Sequence, residues 1–281
     1  MRCPDEKSQR KYLETVLNDI RVFKTAKRDF TLIGFDIGGG TPTALDESAF
    51  SFLMDIYAEG IANLPLSDDF EPSIEATFTT ISPKKLELIA KSGIRWISFG
   101  VQSTNANVLS KNNRYTDDAQ KMDDAIKMAR SMGIEKVNLD FMYGLKHQSP
   151  NTIKTDLEVI HRLCPDQVTL YELRTNMISE ESHTTAAQRY EYYKLLYYGL
   201  MDMGYCSHFG QNTFSMDSDD IGVSSYIRHR MMDCKPYKGF GISAQSMNSE
   251  GVAYNVGKNG HRGIVELEHV WRRIHLSFAS S

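Results

Sequence analysis

Apolar positions along this chain alternate between two rhythms. Ser8–Lys27 repeats them at helical spacing through Tyr12, Leu13, Val16, Leu17, Ile20 and Phe23. Thr31–Ile37 is a short apolar run, uncharged until Asp36, that leads into three glycines and predicts a buried strand. The same exchange then repeats. Helices are predicted over Asp46–Gly60, Pro83–Ser92, Thr116–Met132, Pro150–Leu163 and Ala186–Met203. Strands are predicted over Ser73–Phe78, Arg95–Val101, Lys136–Phe141 and Gln167–Leu173. Short apolar strands separated by amphipathic helices specify βαβ units and a parallel sheet. A doubly wound sheet and an open or closed barrel both fit, and in either, ligands bind at the carboxyl ends of the strands.

After Gly204 the rhythm changes. Cys206–Ser215 reads as a strand, Val223–Met232 as a helix, Lys235–Asn259 as loops with a hairpin, and Ile264–Phe278 as a closing helix. The expected organisation is a barrel over residues 8–204 with a small α+β extension over 205–281.

Polar residues gather at the predicted strand ends. The first strand runs into Gly38-Gly39-Gly40-Thr41-Pro42 and the second carries Glu75. The third ends at Gln102-Ser103, the fourth at Asp140-Phe141-Met142-Tyr143, and the fifth at Tyr171-Glu172-Leu173-Arg174. A carboxylate in a buried strand needs a partner or a ligand. Plainer readings stand beside the functional ones. The glycines suit a tight turn, Asp140 an ion pair or helix cap, and Gln102 a satisfied core amide. Glu172 and Arg174 share a strand face and can neutralise each other. The tyrosines of 190–198 read as helix packing, and His208, His229 and His269 lack ligand spacing.

Composition narrows the function classes. The 281 residues carry a net charge of −4, with 41% hydrophobic and 24% charged residues. No general attraction to nucleic acid or anionic membrane is expected, and no apolar run is long enough to span a bilayer. The charged N-terminus has no secretory h-region, so a cytoplasmic protein is expected. Cys3, Cys164, Cys206 and Cys234 stand far apart and read as reduced thiols. Gly239–Ala244 fits G-x-G-x-x-A, but no strand–helix context surrounds it. Asp36-Ile37-Gly38-Gly39-Gly40-Thr41 is similar to the phosphate loop of the actin and heat-shock ATPases, which joins two antiparallel strands.

Taken in order, Gly-Gly-Gly-Thr-Pro-Thr, Ser-Phe-Gly-Val-Gln-Ser, Asn-Leu-Asp-Phe-Met-Tyr-Gly-Leu, Pro165–Tyr171 and Tyr237–Ser246 resemble the oxygen-independent coproporphyrinogen III oxidase-like family of radical S-adenosylmethionine (SAM) proteins. The resemblance covers roughly residues 8 to 259. It implies a partial (β/α)6 barrel with SAM at the strand ends, a [4Fe–4S] cluster, and a porphyrin-related substrate. It implies that Gly38, Gly39, Gly40 and Thr41 bring backbone to the methionine amino group, which Glu75 also faces. Gln102 and Asp140 then correspond to the ribose partners, Met142 to the apolar contact on adenine, and Arg114 to the arginine that grips the SAM carboxylate.

This sequence departs from that pattern at one point. The family's first strand and its Cys-x3-Cys-x2-Cys loop belong before the first helix, and only seven residues precede Ser8 here. The expectation is a truncated or inactive form that keeps a SAM pocket without cluster ligands. Its exposed second strand, Thr31–Ile37, would become a sheet edge. The alternatives are a non-catalytic SAM- or haem-binding protein and, more remotely, an ATPase.

Overall fold

A computed structural model describes residues 5–26, 30–173, 184–208, 212–249 and 251–255. The chain divides into two compact units. One comprises residues 35–45 and 71–224, the other residues 1–34, 46–70 and 225–281.

The first unit is built on a seven-stranded sheet. Its strands are β1 (Asp36–Ile37), β2 (Ser73–Ala76), β3 (Trp96–Gln102), β4 (Lys136–Tyr143), β5 (Gln167–Glu172), β6 (Cys206–Ser207) and β7 (Thr213–Ser215), in the order β1-β2-β3-β4-β5-β7-β6. β1 to β5 are parallel, each beside its successor, and β7 is antiparallel to β5. This is the expected α/β architecture. The stretch expected as one strand over 206–215 instead gives two short antiparallel strands.

One face of the sheet is apolar and buried, with Ile74, Ile97, Phe99, Val137, Leu139 and Val168. The opposite face is polar. Glu75, Ser98, Asn138 and Gln167 lie abreast across β2–β5, and Gly100, Asp140 and Thr169 form the next row. Strand alternation puts each row on one face. At the amino end of this face, Lys136 Nζ pairs with Glu71 (2.9 Å) and Asp220 (3.1 Å) and stands 4.5 Å over the Trp96 ring.

Helices of this unit follow the predicted pattern closely. α3 (Pro83–Lys91), α5 (Ala119–Ser131), α6 (Pro150–Leu163) and α7 (Ala186–Asp202) each start at a side-chain cap, from Ser82, Asp118, Ser149 and Thr185 respectively. α5 begins at Ala119, three residues later than expected, because the Asp118 side chain accepts the free amides of the first turn. A short helix, α4 (Ala106–Lys111), was not expected.

The second unit holds α1 (Glu6–Ala26) and α2 (Glu47–Ile61), which pack on each other, α8 (Ser225–Met231), and a hairpin of β8 (Gln245–Asn248) and β9 (Gly251–Tyr254). Asp46 caps α2 through Ala49 N at 2.9 Å. The expected strand Thr31–Ile37 is corrected here. Leu32 makes an isolated bridge with Leu66. Gly34 lies so close to Tyr226 that a Cβ would meet its backbone nitrogen at 2.5 Å. Only Asp36 and Ile37 join the sheet, so its edge is short and carries a charge, two devices that discourage edge pairing. The helix expected over Ile264–Phe278 lies outside the described residues, as do Cys3, Arg174 and His269.

Candidate functional site

The glycine loop begins where β1 ends. Gly39, Gly40 and Thr41 have φ of 81°, 68° and 71°, and a 3-10 turn over Pro42–Ala44 follows. The loop amide of Gly39 points at a carboxylate. That carboxylate belongs to Glu75. Its Oε2 accepts from Gly39 N at 3.0 Å. Gly38 sits directly beneath the same carboxylate, where a Cβ would stand 2.7 Å from Glu75 Cδ. The loop is fastened from behind. Buried Lys85 donates to Thr43 O (2.6 Å) and Thr80 O (3.1 Å), and Thr43 Oγ1 bonds Thr80 Oγ1 at 2.7 Å.

Asp140 projects from the polar face of β4. Its Oδ1 accepts from Asn138 Nδ2 (2.8 Å) and its Oδ2 from Ser98 Oγ (3.2 Å). Asn138 is itself held, with Oδ1 accepting from Thr169 Oγ1 at 3.0 Å and Thr169 bonded to Thr213 at 2.9 Å. Burial pushes the Asp140 carboxyl up to about 6; the Asn138 and Ser98 bonds oppose this and the Glu75 charge adds to it. Gln102 ends β3 after a register shift. Its φ of 70° turns the chain, and its Nε2 comes within 3.1 Å of where a Gly100 Cβ would be. Met142 lies one strand position past Phe141, abreast of Tyr171 on β5.

The structure therefore brings Gly38, Gly39, Gly40, Thr41, Glu75, Gln102, Asp140 and Met142 to the carboxyl ends of adjacent strands. Arg114 follows α4 on an exposed segment, and among the described residues its guanidinium has no partner. Glu172 pairs with Arg189 at 2.6 Å. Of the tyrosine cluster, Tyr192 is buried, and Tyr193 contacts both Tyr143 and Tyr197. β1 and β2 are parallel, so the glycine loop is not the antiparallel hairpin of the ATPase phosphate loop. Gly239–Ala244 leads into β8 rather than a helix.

Two further residues, to which the SAM-family resemblance gives no role, stand at the site. Asp36 faces the same side as Ser73 and accepts from Ser224 Oγ at 2.6 Å, while its Oδ1 is buried without a hydrogen bond. Burial pushes its carboxyl up to about 6, with the Glu75 and Glu71 charges adding to the effect. The Tyr171 hydroxyl is pushed upward by burial and by the negative charges of Asp140 and Glu75. Both lie in strands whose two-residue alternation puts them on the polar face.

Comparison with known proteins gives a consistent picture. Residues 3–160 match the family model described as the Radical SAM superfamily. The oxygen-independent coproporphyrinogen III oxidase of Salmonella typhimurium is 26% identical over 260 residues, covering 87% of this chain and 56% of that protein. Heme chaperone HemW of Lactococcus lactis is 27% identical over 267 residues, covering 89% of this chain and 65% of that protein. The structure of coproporphyrinogen III oxidase (HemN) from Escherichia coli superposes with a TM-score of 0.77 at 23% identity, over 90% of this chain and 61% of that one, a likeness of fold. The chain thus spans between about half and two thirds of the length of these relatives.

Proposed function

Because the chain belongs to the radical SAM superfamily, we propose that the polar ends of β1–β5 hold S-adenosylmethionine. Gly38, Gly39, Gly40 and Thr41 lay bare backbone against the methionine end, where Glu75 receives the ammonium group. Gln102 and Asp140 take the ribose hydroxyls, and Met142 lies against adenine. Arg114 grips the methionine carboxylate, since a guanidinium fork matches two carboxylate oxygens at once. The observation that carries this reading is the Glu75–loop pairing. The carboxylate is fixed by Gly39 N–H, and the space a Gly38 side chain would fill is left to it. A cationic amine can enter such a cradle, because one oxygen of Glu75 remains free of the loop bond.

Bound SAM brings an activated sulfonium whose reductive cleavage needs an iron–sulfur cluster, and the described residues offer no ligand set that fits one. Among the described residues no group of three His, Cys, Asp or Glu is placed to hold a metal. Cys164, Cys206 and Cys234 are free thiols dispersed in the chain. We therefore read the 281-residue chain as a SAM-binding member that is inactive in radical chemistry by itself. Residues 35–45 and 71–224, the unit that carries the sheet, supply the ligand-holding strands. Its substrate class is a porphyrin-related small molecule, the class for which the two relatives are named. No helix among the described residues is long and apolar enough to cross a membrane.

Calorimetric titration tests the reading. SAM should bind, and ATP should not displace it. ATP binding as tight as SAM would contradict the assignment.

A further inference from the structure

Asp156 is a buried charge that the ligand site described above does not use. It lies on the inner face of α6, 1% exposed, one turn from the buried Ile153 and Ile160. Its carboxylate accepts hydrogen bonds from Ser103 and Thr104, in the loop that follows β3. Ser103 Oγ lies 3.1 Å from both oxygens, Thr104 N donates to Oδ1 at 2.6 Å, and Thr104 Oγ1 donates to Oδ1 at 2.7 Å. Even so, burial pushes the carboxyl up to about 6. The fold therefore carries a cost at this position that hydrogen bonding does not fully offset.

The residues so fastened are the two that follow Gln102. Gln102 has φ of 70°, a conformation that a non-glycine residue keeps only when its surroundings impose it. The clamp continues downstream. Ser103 Oγ also accepts from Asn105 N at 3.2 Å, and Asn105 Oδ1 caps α4 through Asn107 N and Val108 N, each at 3.1 Å. α4 then leads to Asn112, whose amide donates to Lys146 O at 2.9 Å and accepts from Lys146 N at 3.1 Å. Arg114 stands two residues further on. One carboxylate thus fixes the start of a path that runs from Gln102 to Arg114.

We propose that Asp156 is a positioning residue for the ligand site: its carboxylate holds the loop after β3 so that Gln102 keeps its left-handed turn and faces the adenosine ribose. The inference rests on the SAM reading of Gln102, and it concerns geometry that exists before any ligand arrives. Asparagine at 156 preserves shape but offers one acceptor oxygen instead of two, and its amide group opposes the donors of Ser103 and Thr104.

The test compares wild type, Asp156→Asn, Gln102→Ala and the double variant. SAM affinity is measured by calorimetry, and amide hydrogen exchange is followed over 101–105. Asp156→Asn should weaken SAM by about tenfold, within the range seen when contacting residues are coupled. It should also speed exchange at Thr104. In the Gln102→Ala background the same change should weaken SAM by less than about twofold, because the residue it positions is gone. Equal losses in both backgrounds would mean that Asp156 only stabilises the fold, and would overturn the proposal. Should Asp156→Asn fail to fold, Thr104→Val removes one donor and leaves the carboxylate. An affinity within about twofold of wild type would then overturn the proposal. Should wild type bind no SAM, the SAM reading fails on its own and exchange decides. Faster exchange confined to 101–105 supports the clamp, and unchanged exchange there rejects it.

Discussion

Replacing Asp140 with asparagine should stabilise the protein near neutral pH while weakening its hold on SAM. Burial and the Glu75 charge raise the Asp140 carboxyl from 3.8 to about 6, against two hydrogen bonds. A carboxyl that binds its proton more tightly when folded costs nothing below its unfolded value. The cost grows between about 3.8 and 6 and is complete above that range. For a fully buried group a gap of that size corresponds to about 3 kcal/mol. Asp140 is only half-buried, so water screens it and about 1–2 kcal/mol is the reasonable magnitude. The amide removes the charge but turns an NH2 toward Asn138 Nδ2 or Ser98 Oγ, which takes back about 0.5–1 kcal/mol. The net is a rise in Tm of about 2–4 °C at pH 7.5. At pH 4 the charge term is nearly gone, and the variant should be no more stable than wild type. Thermal unfolding at the two pH values and SAM calorimetry check this. A Tm difference that ignores pH would refute the electrostatic reasoning, and unchanged SAM affinity would refute the ribose role.

Arg114→Ala should weaken SAM binding by about 1.5–3 kcal/mol in calorimetry, the value of a charge-assisted bond, with little change in Tm because the side chain is exposed. Gly38→Ala should leave the fold nearly as stable, since the atoms it meets are the flexible end of Glu75. It should nevertheless displace that carboxylate and cost about tenfold in SAM affinity; an affinity equal to wild type would remove Glu75 from the site. Anaerobic reconstitution with iron and sulfide should leave the 281-residue chain without a stoichiometric cluster, and four irons per chain would contradict the ligand assignment.

The parts of the fold that announce themselves locally were legible. α6 runs from Pro150 to Leu163 as its pattern predicts, because Ser149 and Pro150 mark the start and Pro165 the stop. α4 escaped because six residues with two buried positions show no period. The expected strand Thr31–Ile37 is mostly absent because apolar runs also suit segments that pack without pairing, and Gly34 is committed to Tyr226. At the site, glycines and in-strand carboxylates stand out against an apolar background, so Gly38, Glu75 and Asp140 could be found. Asp156 was missed although its helical neighbours Ile153 and Ile160 put it on the apolar face of α6, because the sequence does not show which donors meet it there. Tertiary structure supplies those donors from Ser103 and Thr104.

Hydrogen exchange with and without SAM tests the central claim most directly. Binding at the strand ends should slow exchange in four separate segments, 37–41, 75–78, 101–104 and 140–143, and leave the β8–β9 hairpin unchanged. Protection by SAM elsewhere with none in these four, or protection by ATP in place of SAM, would contradict the account.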